Sequence, residues 1–358
     1  MESYRRDMTA LCRRCVTVAH VIASRACLLL LTLVAASAVA ASTARSAGLQ
    51  LIDVPADAAG PELAGAVWSP CAAPAGEVEL GRGLKTPGIP GCPVEGGQLP
   101  LILMSHGYHG WYGDLHDVAE TLADAGFVVA ALNHPADTGP DMSHADELAA
   151  LTERPADIKR LIDFLLGRWP DHAKLDPGRI GVLGFSRGGY TALALIGGEP
   201  DWRRLATLCP QRAQLPYCAE APGNQPATEP SLRDPRIKAA VIADPAFGPL
   251  FTPDGLRHVT TPIQLWASVY SGNGMGMDAV SPANVATIDH DLPLPHDFHV
   301  VENATHFAFL APCRPKPGQM VTALCLDAPG FDRAAFHRIF NAEVLAFFRA
   351  QLPKGAVP

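Results

Sequence analysis

The sequence has no surplus of positive charge. Across 358 residues, 28 lysines and arginines stand against 36 aspartates and glutamates, for a formal net charge of −8. Nucleic-acid binding needs cations that displace the counterions of the phosphates, so this balance argues against nucleic acid as a partner. Charged residues make only 18% of the chain and hydrophobic ones 48%, which excludes a disordered polymer and a coiled coil. No internal repeat is visible. No apolar run reaches the roughly 20 residues that a membrane-spanning helix needs. No CxxC is joined by a second CxxC or a histidine pair, so the cysteines lack the spacing of a zinc site.

What is present begins with a short apolar run. Arg5, Arg6, Arg13, Arg14 and Arg25 precede the stretch Ala26 to Ala40, which ends in Ala38-Val39-Ala40. A basic segment, a short apolar core and an A-x-A ending have the form of a secretory signal. Residues 1–40 are therefore expected to be removed and the protein exported, periplasmic or secreted, with no stable membrane insertion after cleavage. Three of the nine cysteines fall in that segment. The six others suit an oxidising compartment. Their order favours the local pairs Cys71–Cys92, Cys209–Cys218 and Cys313–Cys325.

Residues 41–64 are Ala-rich and read as a loose lead-in, and 65–358 as one domain. Short apolar runs then alternate with amphipathic stretches. The runs are Leu99 to Ser105, Phe127 to Leu132, Arg179 to Phe185, Ile237 to Ala243, Pro262 to Ala267 and Phe298 to Val301. Helical spacing appears in Asp114 to Ala125, Pro155 to Trp169 (Pro155 in the first turn), Arg187 to Ile196 and Phe336 to Gln351. Continuous apolar strands alternating with helices predict an α/β fold with a mostly parallel sheet covered on both faces. A Pro-rich stretch, 200–235, reads as a small lid-like insertion. Parallel sheets place ligands at the carboxyl ends of their strands.

One motif carries chemistry at such an end. Gly184-Phe185-Ser186-Arg187-Gly188-Gly189 is a G-x-S-x-G sequence between a strand and a helix. A tight strand–turn–helix elbow lifts the serine above the sheet and sets it at a helix N-terminus, where negative charge is favoured. A serine hydroxyl needs a base, and the base an orienting acid. His306, after the last strand, is the candidate base. The other late histidines, His258, His290, His296, His299 and His337, read as solvated. Two acids compete. Asp244 ends the strand Ile237 to Ala243, whereas Asp278 follows a glycine-rich loop; Asp244 needs no loop rearrangement. The oxyanion of a tetrahedral intermediate needs two N–H donors. The backbone N–H of Arg187 and that of Tyr108, in the loop after the first strong strand, are the candidates. His109 and Trp111 either line the site or cover the sheet edge.

Taken together, Ser105-His106-Gly107-Tyr108, the elbow, Ile242-Ala243-Asp244-Pro245 and His306-Phe307-Ala308-Phe309-Leu310 resemble the α/β-hydrolase superfamily. Within it they are similar to the platelet-activating factor acetylhydrolase and predicted dienelactone hydrolase group. The resemblance runs from about Trp68 to the C-terminus. It implies an α/β-hydrolase fold, hydrolysis of short acyl esters through Ser186, His306 and Asp244, and no metal or organic cofactor. Dienelactone hydrolases use a cysteine nucleophile where this chain has Ser186, which argues against dienelactone itself as substrate. A small-molecule ester is the implied partner. The same residues would serve an amidase or peptidase. A non-catalytic binding module on this fold is disfavoured, because such proteins usually lose the serine or the histidine.

Overall fold

The computed structural model describes residues 47–355, except 75, 206–208, 210–217, 219–230, 271–281 and 314–322. The expected signal segment lies outside the described residues, as do Asp278 and most of the insertion expected over 200–235.

Eleven strands are described: β1 (Gly48–Val54), β2 (Leu63–Ser69), β3 (Glu77–Gly81), β4 (Leu84–Pro87), β5 (Ile89–Pro90), β6 (Leu99–Ser105), β7 (Val128–Leu132), β8 (Leu175–Phe185), β9 (Ile237–Ala243), β10 (Ile263–Val269) and β11 (Asp297–Glu302). Nine form one sheet in the order β11-β10-β9-β8-β6-β7-β2-β1-β5. The run from β7 to β11 is parallel. β2 joins β7 antiparallel, and β1 joins β2 antiparallel. β3 and β4 make a separate hairpin.

The helices that matter for the site are α1 (His116–Asp124), α2 (Leu148–Gly167), α3 (Arg187–Leu195), α4 (Pro282–Asp291) and α5 (Arg333–Gln351). They cover both faces, and side-chain alternation along the strands divides the core. Leu101 and Leu103 of β6 pack with Ile158, Leu161 and Ile162 of α2 and Leu193 of α3. Ile102 and Met104, one residue out of phase, pack with Val118 and Leu122 of α1 and Phe340, Val344 and Phe348 of α5. Successive strand side chains point to opposite faces, so a strand buried on both reads as an unbroken apolar run. All seven residues of β6 are buried.

The sheet begins earlier than the sequence suggests. The lead-in expected over 41–64 contains β1, which pairs with β2 from Gly48↔Ser69 to Val54↔Leu63. Its alternation, with Leu49, Ile52 and Val54 buried and Leu51 exposed, is short and set among alanines. The stretch from Pro70 to Gly97, rich in glycine and proline, follows β2 and carries the β3–β4 hairpin. Helix α2 starts at Leu148, so Pro155 lies inside it and not in its first turn. An internal proline costs about 3 kcal/mol. The stripe Leu151, Pro155, Ile158 and Ile162, all buried, offsets that cost by packing on the sheet. Within the stretch 200–235, Trp202 and Leu205 are buried in the core.

All three expected disulfides are present: Cys71–Cys92, Cys209–Cys218 and Cys313–Cys325. Among the described residues no helix is long and apolar enough to cross a membrane.

Candidate active site

The site forms at the carboxyl ends of β6, β8, β9 and β10. Ser186 stands between β8 and α3 with φ 56° and ψ −117°, a left-handed backbone that costs a non-glycine residue roughly 1–3 kcal/mol. The surroundings hold it there. Its N–H donates to Ala243 O at 2.9 Å, and its carbonyl accepts from Ala246 N at 2.9 Å and Tyr190 N at 3.1 Å. The flanking glycines are obligatory. A Cβ on Gly184 would lie 2.0 Å from Gly188 O, and one on Gly188 would lie 1.9 Å from Ser105 O.

His306 opens a 3-10 turn shortly after β11. Its Nε2 lies 3.0 Å from Ser186 Oγ and its Nδ1 lies 3.1 Å from Asp244 Oδ2. A proton on Nδ1, donated to the carboxylate, leaves the Nε2 lone pair facing the serine hydroxyl. The Phe185 ring stacks on the imidazole with centroids 4.7 Å apart.

Asp244 follows β9 with φ 43°. Its Oδ1 accepts the Ser268 backbone N–H at 2.7 Å, and its Oδ2 accepts the Ser268 hydroxyl. Its own N–H donates to Trp266 O at 2.9 Å. The carboxylate is thus fixed by the end of β10 and directed at the histidine. The sequence did not point to Ser268, which comes beside Asp244 only once β10 has paired with β9.

His337, expected to be solvated, is buried. Its Nδ1 lies 2.6 Å from Asp117 Oδ2 and its Nε2 lies 2.8 Å from Ala308 O. It therefore anchors the turn that carries His306. Helical position alone placed it on α5; the inward direction comes from the α1–α5 packing. His299 stacks on Trp266 with centroids 4.0 Å apart.

The loop after β6 runs beside the serine. A Cβ on Gly107 would lie 3.3 Å from Ser186 Cβ, so the backbone of 107–108 is within reach of a group bound at Oγ. The Gly107 carbonyl accepts from Gly110 N at 3.2 Å and faces His106 Nδ1 at 2.7 Å. Nε2 of His106 accepts the His134 N–H at 3.2 Å, so the ring proton resides on Nδ1 and is donated to Gly107 O. Burial, reinforced by the Arg154 charge, pushes the His106 imidazole down to about 3, and it is neutral at ordinary pH. A trans peptide directs its C=O and its N–H oppositely. With Gly107 O held toward Gly110 and the imidazole, the Tyr108 N–H points away from both. Trp111 is buried beneath Arg82, whose guanidinium lies 5.1 Å above its ring.

Behind this loop lies a buried polar array. Ser105 Oγ contacts His134 Nε2 at 2.9 Å, and His134 Nδ1 contacts Asp157 Oδ2 at 2.9 Å. Burial lowers the His134 imidazole well below its ordinary range and raises the Asp157 carboxyl to about 7. This second Ser–His–Asp sequence of contacts has a fully buried serine, with no access for a substrate. Among the described residues no group of three His, Cys, Asp or Glu side chains is placed to hold a metal ion.

The chain has the α/β-hydrolase fold. A ferulic acid esterase from Streptomyces cinnamoneus superposes with a TM-score of 0.59 over 89% of this chain and 96% of its own, at 18% identity. In sequence, the chain is 36% identical over 104 residues to a Bradyrhizobium protein named as a 2-oxo-3-(5-oxofuran-2-ylidene)propanoate lactonase, covering 28% of this chain and 42% of that one. It is 31% identical over 144 residues to a protein of Nocardia uniformis subsp. tsuyamanensis named as an esterase, NocK, covering 40% of each. The chain thus spans about two fifths of the length of the curated relatives it matches. No family model matches it.

Proposed function

We propose that the protein is an exported serine hydrolase that cleaves small carboxylic esters through an acyl-enzyme intermediate. The observation that carries this reading is the hydrogen-bonded sequence Asp244–His306–Ser186, with its serine on a strained elbow at the sheet's carboxyl edge. The relatives named as an esterase and a lactonase support an ester as the bond attacked. Three disulfides support an oxidising compartment.

In the proposed reaction, His306 Nε2 takes the Ser186 proton as Oγ attacks the ester carbonyl. The carbonyl electron pair moves to its oxygen, which the N–H groups of Arg187 and Tyr108 receive. Asp244 holds the Nδ1–H and stabilises the imidazolium that forms. The intermediate collapses as His306 gives its proton to the leaving alcohol oxygen. Water, deprotonated by the same imidazole, then releases the acid and frees Ser186. A short acyl chain is the expected preference, as in the acetylhydrolases that the sequence resembles.

Purified protein is assayed on p-nitrophenyl esters with acyl chains from two to twelve carbons, beside Ser186→Ala. Turnover that falls steeply with chain length and is absent from the variant is the expected result. Equal turnover by wild type and variant would sink the serine mechanism, and a maximum at long chains would overturn the short-acyl preference.

A further inference from the structure

Two buried arginines meet on one oxygen. Arg154 donates from one terminal nitrogen to Asp137 Oδ2 at 2.6 Å, and Arg187 donates to the same oxygen at 2.9 Å. Arg154, Arg187 and Asp137 are all almost fully buried. Burying three charged groups costs several kcal/mol per ion unless each finds partners, so their placement calls for a reason beyond stability.

The reason lies in what else the arginines hold. Arg154 also donates to the carbonyl of His106, in the loop after β6, and to Thr191 Oγ1 of α3 at 3.3 Å. Arg187 begins α3, and its backbone N–H is one proposed oxyanion donor. Its side chain donates to Ala145 O at 2.5 Å, and its guanidinium lies 4.4 Å over the ring of Tyr108, whose N–H is the other proposed donor. One arginine therefore grips the segment carrying Tyr108, the other contacts Tyr108 itself, and Asp137 joins them. Burial alone would raise the Asp137 carboxyl, but the two guanidiniums outweigh it and hold it below its ordinary range.

We propose that Asp137 is a positioning residue that sets the separation of the Tyr108 and Arg187 N–H donors by holding Arg154 and Arg187 on one carboxylate oxygen. This inference rests on the serine-hydrolase reading above. Asp137 touches neither the triad nor the elbow serine; it acts through the arginines. Loss of its charge would leave two buried cations in mutual repulsion, and the donors they carry would move apart. The interactions weakened would be those made only when an oxygen at the site bears negative charge.

Asp137→Asn in the full chain tests this with a matched pair of inhibitors. Ser186 Oγ adds to an alkyl trifluoromethyl ketone to give a hemiketal: the Oγ–C bond forms, the serine proton goes to His306, and the carbonyl pair becomes the oxyanion. The corresponding trifluoromethyl carbinol has the same bulk and forms no oxyanion. The variant is expected to unfold cooperatively and to keep carbinol affinity and ester KM within about threefold. Its kcat and its ketone affinity are expected to fall about 10- to 100-fold. Equal weakening of both inhibitors, or unchanged ketone affinity, would overturn the clamp. Should Asp137→Asn fail to fold, Arg187→Gln, which leaves Arg154 on Asp137, faces the same comparison. Fluorine NMR of the wild-type complex separates the two levels of inference. Absence of the hemiketal signal there overturns the hydrolase reading and the clamp with it, whereas its presence with an unperturbed variant overturns the clamp alone.

Discussion

Phe185 and His306 stack with ring centroids 4.7 Å apart and planes 29° from parallel. The residue immediately before the proposed nucleophile thus supports the proposed base. The same ring also lies 6.2 Å from Phe309, in the turn that His306 opens. Strand β8 therefore fixes the imidazole as well as the serine. Small displacements of a reacting group cost about 100-fold in rate, so in the proposed reaction this contact is expected to affect the rate.

Phe185→Leu keeps an apolar side chain and removes the flat support. It is expected to lower kcat by about 10- to 100-fold with little change in KM. Steady-state kinetics on a p-nitrophenyl acetate series check it; a change confined to KM would show that the ring serves substrate binding instead.

The triad assignment makes sharper demands. Ser186→Ala and His306→Ala are each expected to lower kcat by about 10^4-fold or more with the fold retained. Asp244→Asn is expected to cost about 10^4-fold through the wrong imidazole tautomer, whereas Asp278→Asn should cost little. Circular dichroism establishes folding, and burst kinetics measure the acyl-enzyme. The reverse ranking of the two aspartates would overturn the choice of acid.

Gly188→Ala places a methyl group 1.9 Å from Ser105 O. The contact is with backbone, so it cannot be relieved by a rotamer change. The variant is expected to lose the elbow, with a fall in thermal midpoint as well as activity. An active variant of unchanged midpoint would mean that the turn is looser than its geometry.

Burial pushes the Asp114 carboxyl from an ordinary 3.8 up to about 7, against the Trp111 N–H that it accepts at 3.1 Å. The folded protein then keeps a proton that the unfolded chain gives up between about pH 4 and pH 7. Stability contributed by this group falls as pH rises through that window. Asp114→Asn has no proton to lose, so its stability relative to wild type should climb from pH 4 to pH 8. Urea midpoints of both proteins across that range test the sign; a constant difference would remove Asp114 as the cause.

How much of this was legible in the sequence follows from physical range. The buried parallel strands β6 and β7 are unbroken apolar runs, β8 and β9 each end in one, and the elbow is a local turn whose glycines are demanded within five residues. Both leave marks that a single sequence preserves. β1 is a short alternating strand among alanines, and α4, with no pronounced apolar stripe, lies beside residues outside the described set. His337 was misread because a histidine on a helix has no direction until α1 packs on α5. Asp137, Arg154 and Ser268 had no local signature at all. Their partners lie 17 to 50 residues away along the chain, and buried charge has no period.

The order of the sheet also determines when the proposed activity can first exist. Ser186, Asp244 and His306 come from three stretches of chain, the serine and histidine 120 residues apart. They meet only after β8, β9, β10 and β11 have paired in register. Such non-local pairings form slowly and together. Ester cleavage would therefore report the pairing of β8 to β11, and a refolding time course followed by turnover should lag one followed by helix content.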